Sequence, residues 1–482
     1  MQRRLFTACA ACLLAVGLFF AGCSNDDNGA GPTPPPQDID ATVQELSDMM
    51  QDMIDSMSTG GVPDLTVFDF DGLHGKFVSY LNDHPGDPTA SFGAALTSIM
   101  GMVASETLDM LIDSVTAFLE GEGFLKASVF NPNRFSDRGS LLGFPTDLSS
   151  AGIQENFLGQ AYASIMYRAL ADPPQFSDLQ FLIRLEFIPA FNEAIGYLDN
   201  VLDDPDYVFW VTPEMTGGTS DSVEIDHADF LVFTSGLHII SSFLHMAVAY
   251  NVDVPSYDSA GLAYMFDQSN GWMSLHPDGA AQMSASLADF TDALDLADSA
   301  IVALQTEQTT DQDQSNDLIV ADWSLAEYIE AQTYIDSARA YLTMPQWVIG
   351  SFDVDPEPDS VRIDASMIFT NPINGIFSLL PPYSSEVVMG EDSFWSYWEY
   401  WDGQQYVIDS FLYNVFPYID VFITWDADTF AQWVFPNPTI NGILPDVDTD
   451  AKFKALFGLT EQTWAKQTGF RLYLDPDMYG LD

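Results

Sequence analysis

Cysteine is nearly missing from this chain: there are three in 482 residues, Cys9, Cys12 and Cys23. None follows position 23, which excludes a disulfide framework or a thiolate metal site in the remainder and leaves stability to packing. Basic residues are the second shortage. Fourteen Lys and Arg face 71 Asp and Glu, for a formal net charge of −57, and no Lys or Arg occurs between Arg184 and Arg339. A field of that sign repels nucleic acid and offers little to hold a phosphate, so neither nucleic acid nor nucleotide is an expected partner. Two milieus accommodate such a charge: high salt, which screens self-repulsion, and a medium rich in divalent cations. Catalytic signatures are also lacking. The sequence contains no G-x-S-x-G, S-x-x-K, H-E-x-x-H, P-loop or strand-linked G-x-G-x-x-G. A non-enzymatic role is therefore expected, with an acidic hydrolase working through paired carboxylates as an alternative whose residues the sequence does not single out.

What is present begins at the N-terminus, MQRRLFTACAACLLAVGLFFAGCSNDDNGAGPTPPPQ. Arg3 and Arg4 precede an apolar run from Leu5 to Phe20, and Ala21-Gly22 then lead into Cys23. The arrangement resembles the lipobox of bacterial lipoproteins. The resemblance implies thioether lipidation of Cys23, cleavage after Gly22 and acylation of the new terminus. Ser24, in place of an aspartate after the cysteine, points to the outer membrane, with the body facing the periplasm or the cell surface. The expected partition is a signal peptide over 1–22 and a polar, Pro-rich tether over 23–38. Loss of the leader removes two basic residues and none of the 71 acidic ones. Several acyl chains hold even so acidic a chain on a membrane.

Residues 39–345 read as helices. Val43, Leu46, Met49, Met50, Met53 and Ile54 fall at helical spacing over 39–57. Over 76–102 a helix runs into Pro85, turns through Gly86-Asp87-Pro88 and resumes with the small residues Ala90, Gly93, Ala94 and Ala95. With Phe77 and Pro85 in place, this stretch resembles one junction of a tetratricopeptide repeat. A further helix-to-turn unit covers 190–209. The apolar stretch 224–250 opens on Asp226 as an N-cap. It is long enough for a bilayer, but Asp229, His238 and His245 assign it to the centre of a helical bundle. Two more amphipathic helices are expected at 284–306 and 323–343. Past 346 the texture changes: Val361, Ile363 and, less regularly, Ala365 and Met367 alternate as in a strand, and prolines punctuate the rest, so short strands and loops are expected. The fold class expected is mainly α, a helical-repeat-like bundle over 39–345 followed by a smaller aromatic-rich α+β region over 346–482.

Two stretches carry candidate ligand-binding residues. DQDQSNDLIVAD, residues 311–322, resembles an EF-hand loop, with Asp311, Asp313 and Ser315 at positions one, three and five, Leu318 at the apolar eighth and Asp322 at the twelfth. With Asp317 they form a candidate Ca²⁺ set. Other acidic groups, 203–206, 353–355 and 446–450, read as turns and helix caps. His238 and His245, seven apart, read as polar core groups rather than zinc ligands. The second stretch is FWSYWEYWDGQQY, 394–406. Trp395, Trp398 and Trp401 share a face only if the segment is helical, with Glu399 and Asp402 beside them as acceptors for a glycan stacked on the rings. Regional aromatic density favours core over platform. The leading expectation is a lipid-anchored scaffold or binding module with a protein or glycan partner. An outer-membrane helical lipoprotein rich in aromatics is also similar in architecture to the SusD-like glycan-binding lipoproteins, which stands as the alternative.

Overall fold

The computed structural model describes residues 39–58, 67–104, 176–213, 215, 222–255, 263–267, 269–310, 317–319, 323–350, 359–380, 383–401, 406–425, 434–456 and 468–473. The leader, Cys23 and the tether lie outside them. Within them the fold is mainly α.

The first helix, α1 (Asp40–Ser58), follows the Met- and Leu-rich spacing and buries Leu46 and Met50. Helix α2 (Phe70–Asp83) and α3 (Pro88–Val103) form the hairpin foreseen around Pro85. Gly86 makes the turn in the left-handed region at φ 83°, where a side chain is strained. Asp87 then caps α3 by accepting from the Ala90 N–H at 2.9 Å, and Pro88 starts the helix where its missing N–H costs nothing. The small residues serve close approach: a Cβ on Gly93 would lie 2.4 Å from the Phe77 ring, and Ala90, Ala94 and Ala95 are fully buried. These helices do not establish a tetratricopeptide repeat. The helices that follow are 15, 21 and 31 residues long, so no common unit recurs among them.

Helix α4 (Phe176–Leu182) passes through a π turn, Ile183–Phe187, into α5 (Ile188–Leu202). Pro189 has no N–H for the carbonyl four residues back and would crowd it, and a locally widened helix relieves both problems. Residues 203–206 form the turn expected of them, with Asp204 accepting from the Asp206 N–H at 3.3 Å. The ribbon β1 (Phe209–Val211) and β2 (Val223–Ile225) leads into α6 (His227–Ala247).

Helix α6 is long and apolar enough to cross a membrane, yet most of it is buried inside the fold. Its neighbours are α5 and α7 (Gly279–Thr309), the latter reached through the short ribbon β3 (Tyr250–Asn251) and β4 (Ser274–Leu275). The α6–α7 seam is polar and satisfied. Ser235 donates to Ala293 O and Ser242 to Ser286 O, each at 2.8 Å. His238 Nδ1 sits 3.0 Å from Asp289 Oδ1, Ser241 donates to the other oxygen at 2.7 Å, and His245 Nδ1 lies 2.6 Å from Gln282 Oε1. The two histidines thus bind α7, as the reading of polar core groups requires. A buried polar group costs free energy only when left unpaired, so the seam fixes helix register without that penalty.

Helix α8 (Leu325–Thr343) packs on α7 through Tyr328 and Ile335. The ribbon β5 (Gln346–Gly350) and β6 (Asp359–Ile363) follows. The strand expected through Met367 stops at Ile363, and α9 (Ser366–Thr370) takes over, placing Phe369 against Ala249 and Met283. A 3₁₀ turn, Ile376–Leu379, precedes the largest departure from expectation. In place of short strands, β7 (Tyr383–Trp401) and β8 (Tyr406–Trp425) form one long antiparallel hairpin, bulged at Trp398/Glu399. The short α10 (Asp450–Leu456) comes next, and β9 (Thr468–Tyr473) then adds to β8 over Tyr418–Ile423 only. Pro417 lies within β8 in register with Glu391 of β7, so proline does not break this strand.

Candidate metal centre at the start of the central helix

The N-terminus of α6 is built by its own first residues. Asp226 stands in extended geometry and accepts from the N–H groups of Ala228 and Asp229 at 3.0 and 3.3 Å. Asp229 returns the contact, accepting from the Asp226 N–H at 3.1 Å, which completes a capping box. The positive end of the helix dipole favours both carboxylates there.

A second segment joins them. Asp317 pairs with Glu224 of β2 as an isolated parallel bridge, and the Leu318 N–H donates to Glu224 O at 2.9 Å. The next N–H, of Ile319, donates to Asp229 Oδ1 at 3.1 Å. Two hydrogen bonds, one to the backbone of β2 and one to a side chain of α6, therefore hold 317–319 beside the helix start. The third contributor is Glu307, in the last turn of α7, where the helix dipole disfavours an anion.

Asp226, Glu307 and Asp317 each bring a carboxylate oxygen to within 4.8 Å of the others. Asp226, Asp229 and Asp317 are at least nine-tenths buried. Burial pushes the Asp229 carboxyl well above its ordinary value of 3.8, and the neighbouring charges of Asp226, Asp317 and Glu307 push it further. Asp229 thus resists ionisation beside its acidic neighbours. A proton or a metal cation relieves that repulsion.

The donor set is oxygen only, which suits a hard cation of the calcium or magnesium class rather than zinc or copper. Calcium–oxygen distances of about 2.3–2.6 Å place ligands on opposite sides of one ion up to about 5 Å apart, so the observed spread fits a single ion. Three carboxylates fall short of the six to eight oxygens calcium takes, and backbone carbonyls or water would supply the balance.

Of the residues expected to bind calcium, Asp317 lies in this cluster. Asp311, Asp313, Ser315 and Asp322 lie outside the described residues. The partners of Asp317 come from elsewhere in the chain. Asp226 reads from sequence as a cap and Asp229 as a mark against a membrane span, while Glu307 carries no local signal at all. What could have found them is the conjunction of two aspartates at a helix start with a span free of Lys and Arg.

The aromatic stretch is placed differently from its binding geometry. Trp395, Trp398, Glu399 and Trp401 belong to strand β7, and Asp402 lies outside the described residues. The backbone is extended, so the helical face on which three tryptophans at every third position would converge is not formed. Of the other acidic groups, Asp446 pairs with Arg362, Asp448 with Lys452 at 2.8 Å and Asp450 with Lys454 at 2.7 Å, while 353–355 lies outside the described residues.

No family model, curated protein or solved structure matches the chain.

Proposed function

We propose that this chain is a lipid-anchored protein of the bacterial cell envelope, held at the outer membrane through Cys23, that acts as a non-enzymatic scaffold or binding module and carries a structural calcium ion. The single observation behind the anchor is the N-terminal sequence: two arginines, an apolar run and Ala21-Gly22-Cys23, followed by a Pro-rich polar tether. The calcium assignment rests on Asp226, Glu307 and Asp317, three carboxylates from distant parts of the chain drawn to one point beside the buried Asp229. Calcium here closes the end of the helical body by joining β2, the start of α6, the end of α7 and 317–319. A chain with so few cations of its own gains from an external one that folding concentrates at a fixed place.

Metabolic labelling with an alkyne fatty acid tests the anchor. The wild-type protein takes the label and partitions with membranes, and Cys23→Ser abolishes both. Label retained in Cys23→Ser, or a mature N-terminus other than residue 23, overturns the assignment.

A further inference from the structure

We draw no further inference here: the strongest candidate, the face of the β7–β8 hairpin on which the register sets Trp395 opposite Tyr413 and Tyr397 opposite Phe411, carries nothing because nothing in the structure shows what covers it.

Discussion

Helix α7 carries two groups of carboxylates that meet opposite fates. Along its middle, Asp295 and Asp298 share Arg339 of α8 with Asp336, at 2.8, 3.8 and 2.9 Å. Those carboxylates are 39–72% exposed, so water already solvates them. At the end of the same helix, Glu307 points into a cluster with Asp226 and Asp317, beside Asp229, three of the four being buried. The lesson is that net charge alone says little about where an acidic chain is under electrostatic stress. Exposed pairs such as those of Arg339 contribute at most about 1 kcal/mol. Buried like charges cost several times that unless a counterion or proton intervenes.

The comparison breaks most sharply with calcium. Saturation at about one hundred times the dissociation constant stabilises the folded state by about 2.7 kcal/mol. For a body spanning 39–345, at about 2.1 cal/mol/K of unfolding entropy per residue, that is a rise in Tm of about 4 °C, read by calorimetry on metal-stripped protein. The Arg339 group is untouched by it, so Arg339→Ala keeps the full response.

Asp226→Ala comes next. It removes the cap of a buried helix and strands the Ala228 and Asp229 N–H groups, an expected loss of about 2 kcal/mol in chemical denaturation. Relief of repulsion offsets part of that loss, so Asp226→Asn, which keeps the cap, is expected to be nearly neutral in metal-free protein.

A third effect is pH dependence. The folded pKa of Asp229 is raised, so its contribution is fully present below the ordinary carboxylate value of 3.8 and is lost as pH rises through the folded value. Metal-free protein is therefore expected to lose stability as pH rises above about 4, and calcium to flatten or reverse that slope. Asp278 works in the other direction and in a lower window. Partial burial opposes its ionisation, but hydrogen bonds from Arg184 and Gln282 outweigh this and hold it below 3.8, so its contribution disappears only in stronger acid. Thermal melts from about pH 2 to 8, with and without calcium, check both signs.

The smallest expected effect is Arg339→Ala itself, a loss of less than about 1 kcal/mol that shrinks further in high salt.

Much of the helical body was legible in the sequence because its signals are local. Periodicity marked α1, the Pro85–Pro88 turn marked the α2–α3 hairpin, and Asp226 marked the start of α6. The α7 and α8 ranges were close for the same reason. The hairpin was misread because proline was taken as a strand breaker everywhere. Pro417 sits inside β8 and stands in register with Glu391, so the β7–β8 ladder continues past it. One member of the candidate carboxylate cluster was marked in the sequence. The calcium-loop pattern singled out Asp317, but it looked for ligands within twelve consecutive residues. Folding instead brings Asp226 and Glu307 beside Asp317 from two helix ends, and no spacing rule reaches that far.

The most direct test of the central claim is calcium titration of metal-stripped, lipid-free mature protein alongside Asp317→Asn, followed by isothermal calorimetry and thermal melting. The expected result is one calcium ion per chain and a rise in Tm for the wild type, with both lost in Asp317→Asn even though that variant is at least as stable as the wild type without metal. An unchanged wild-type Tm at millimolar calcium, or the same response in both proteins, would contradict the account.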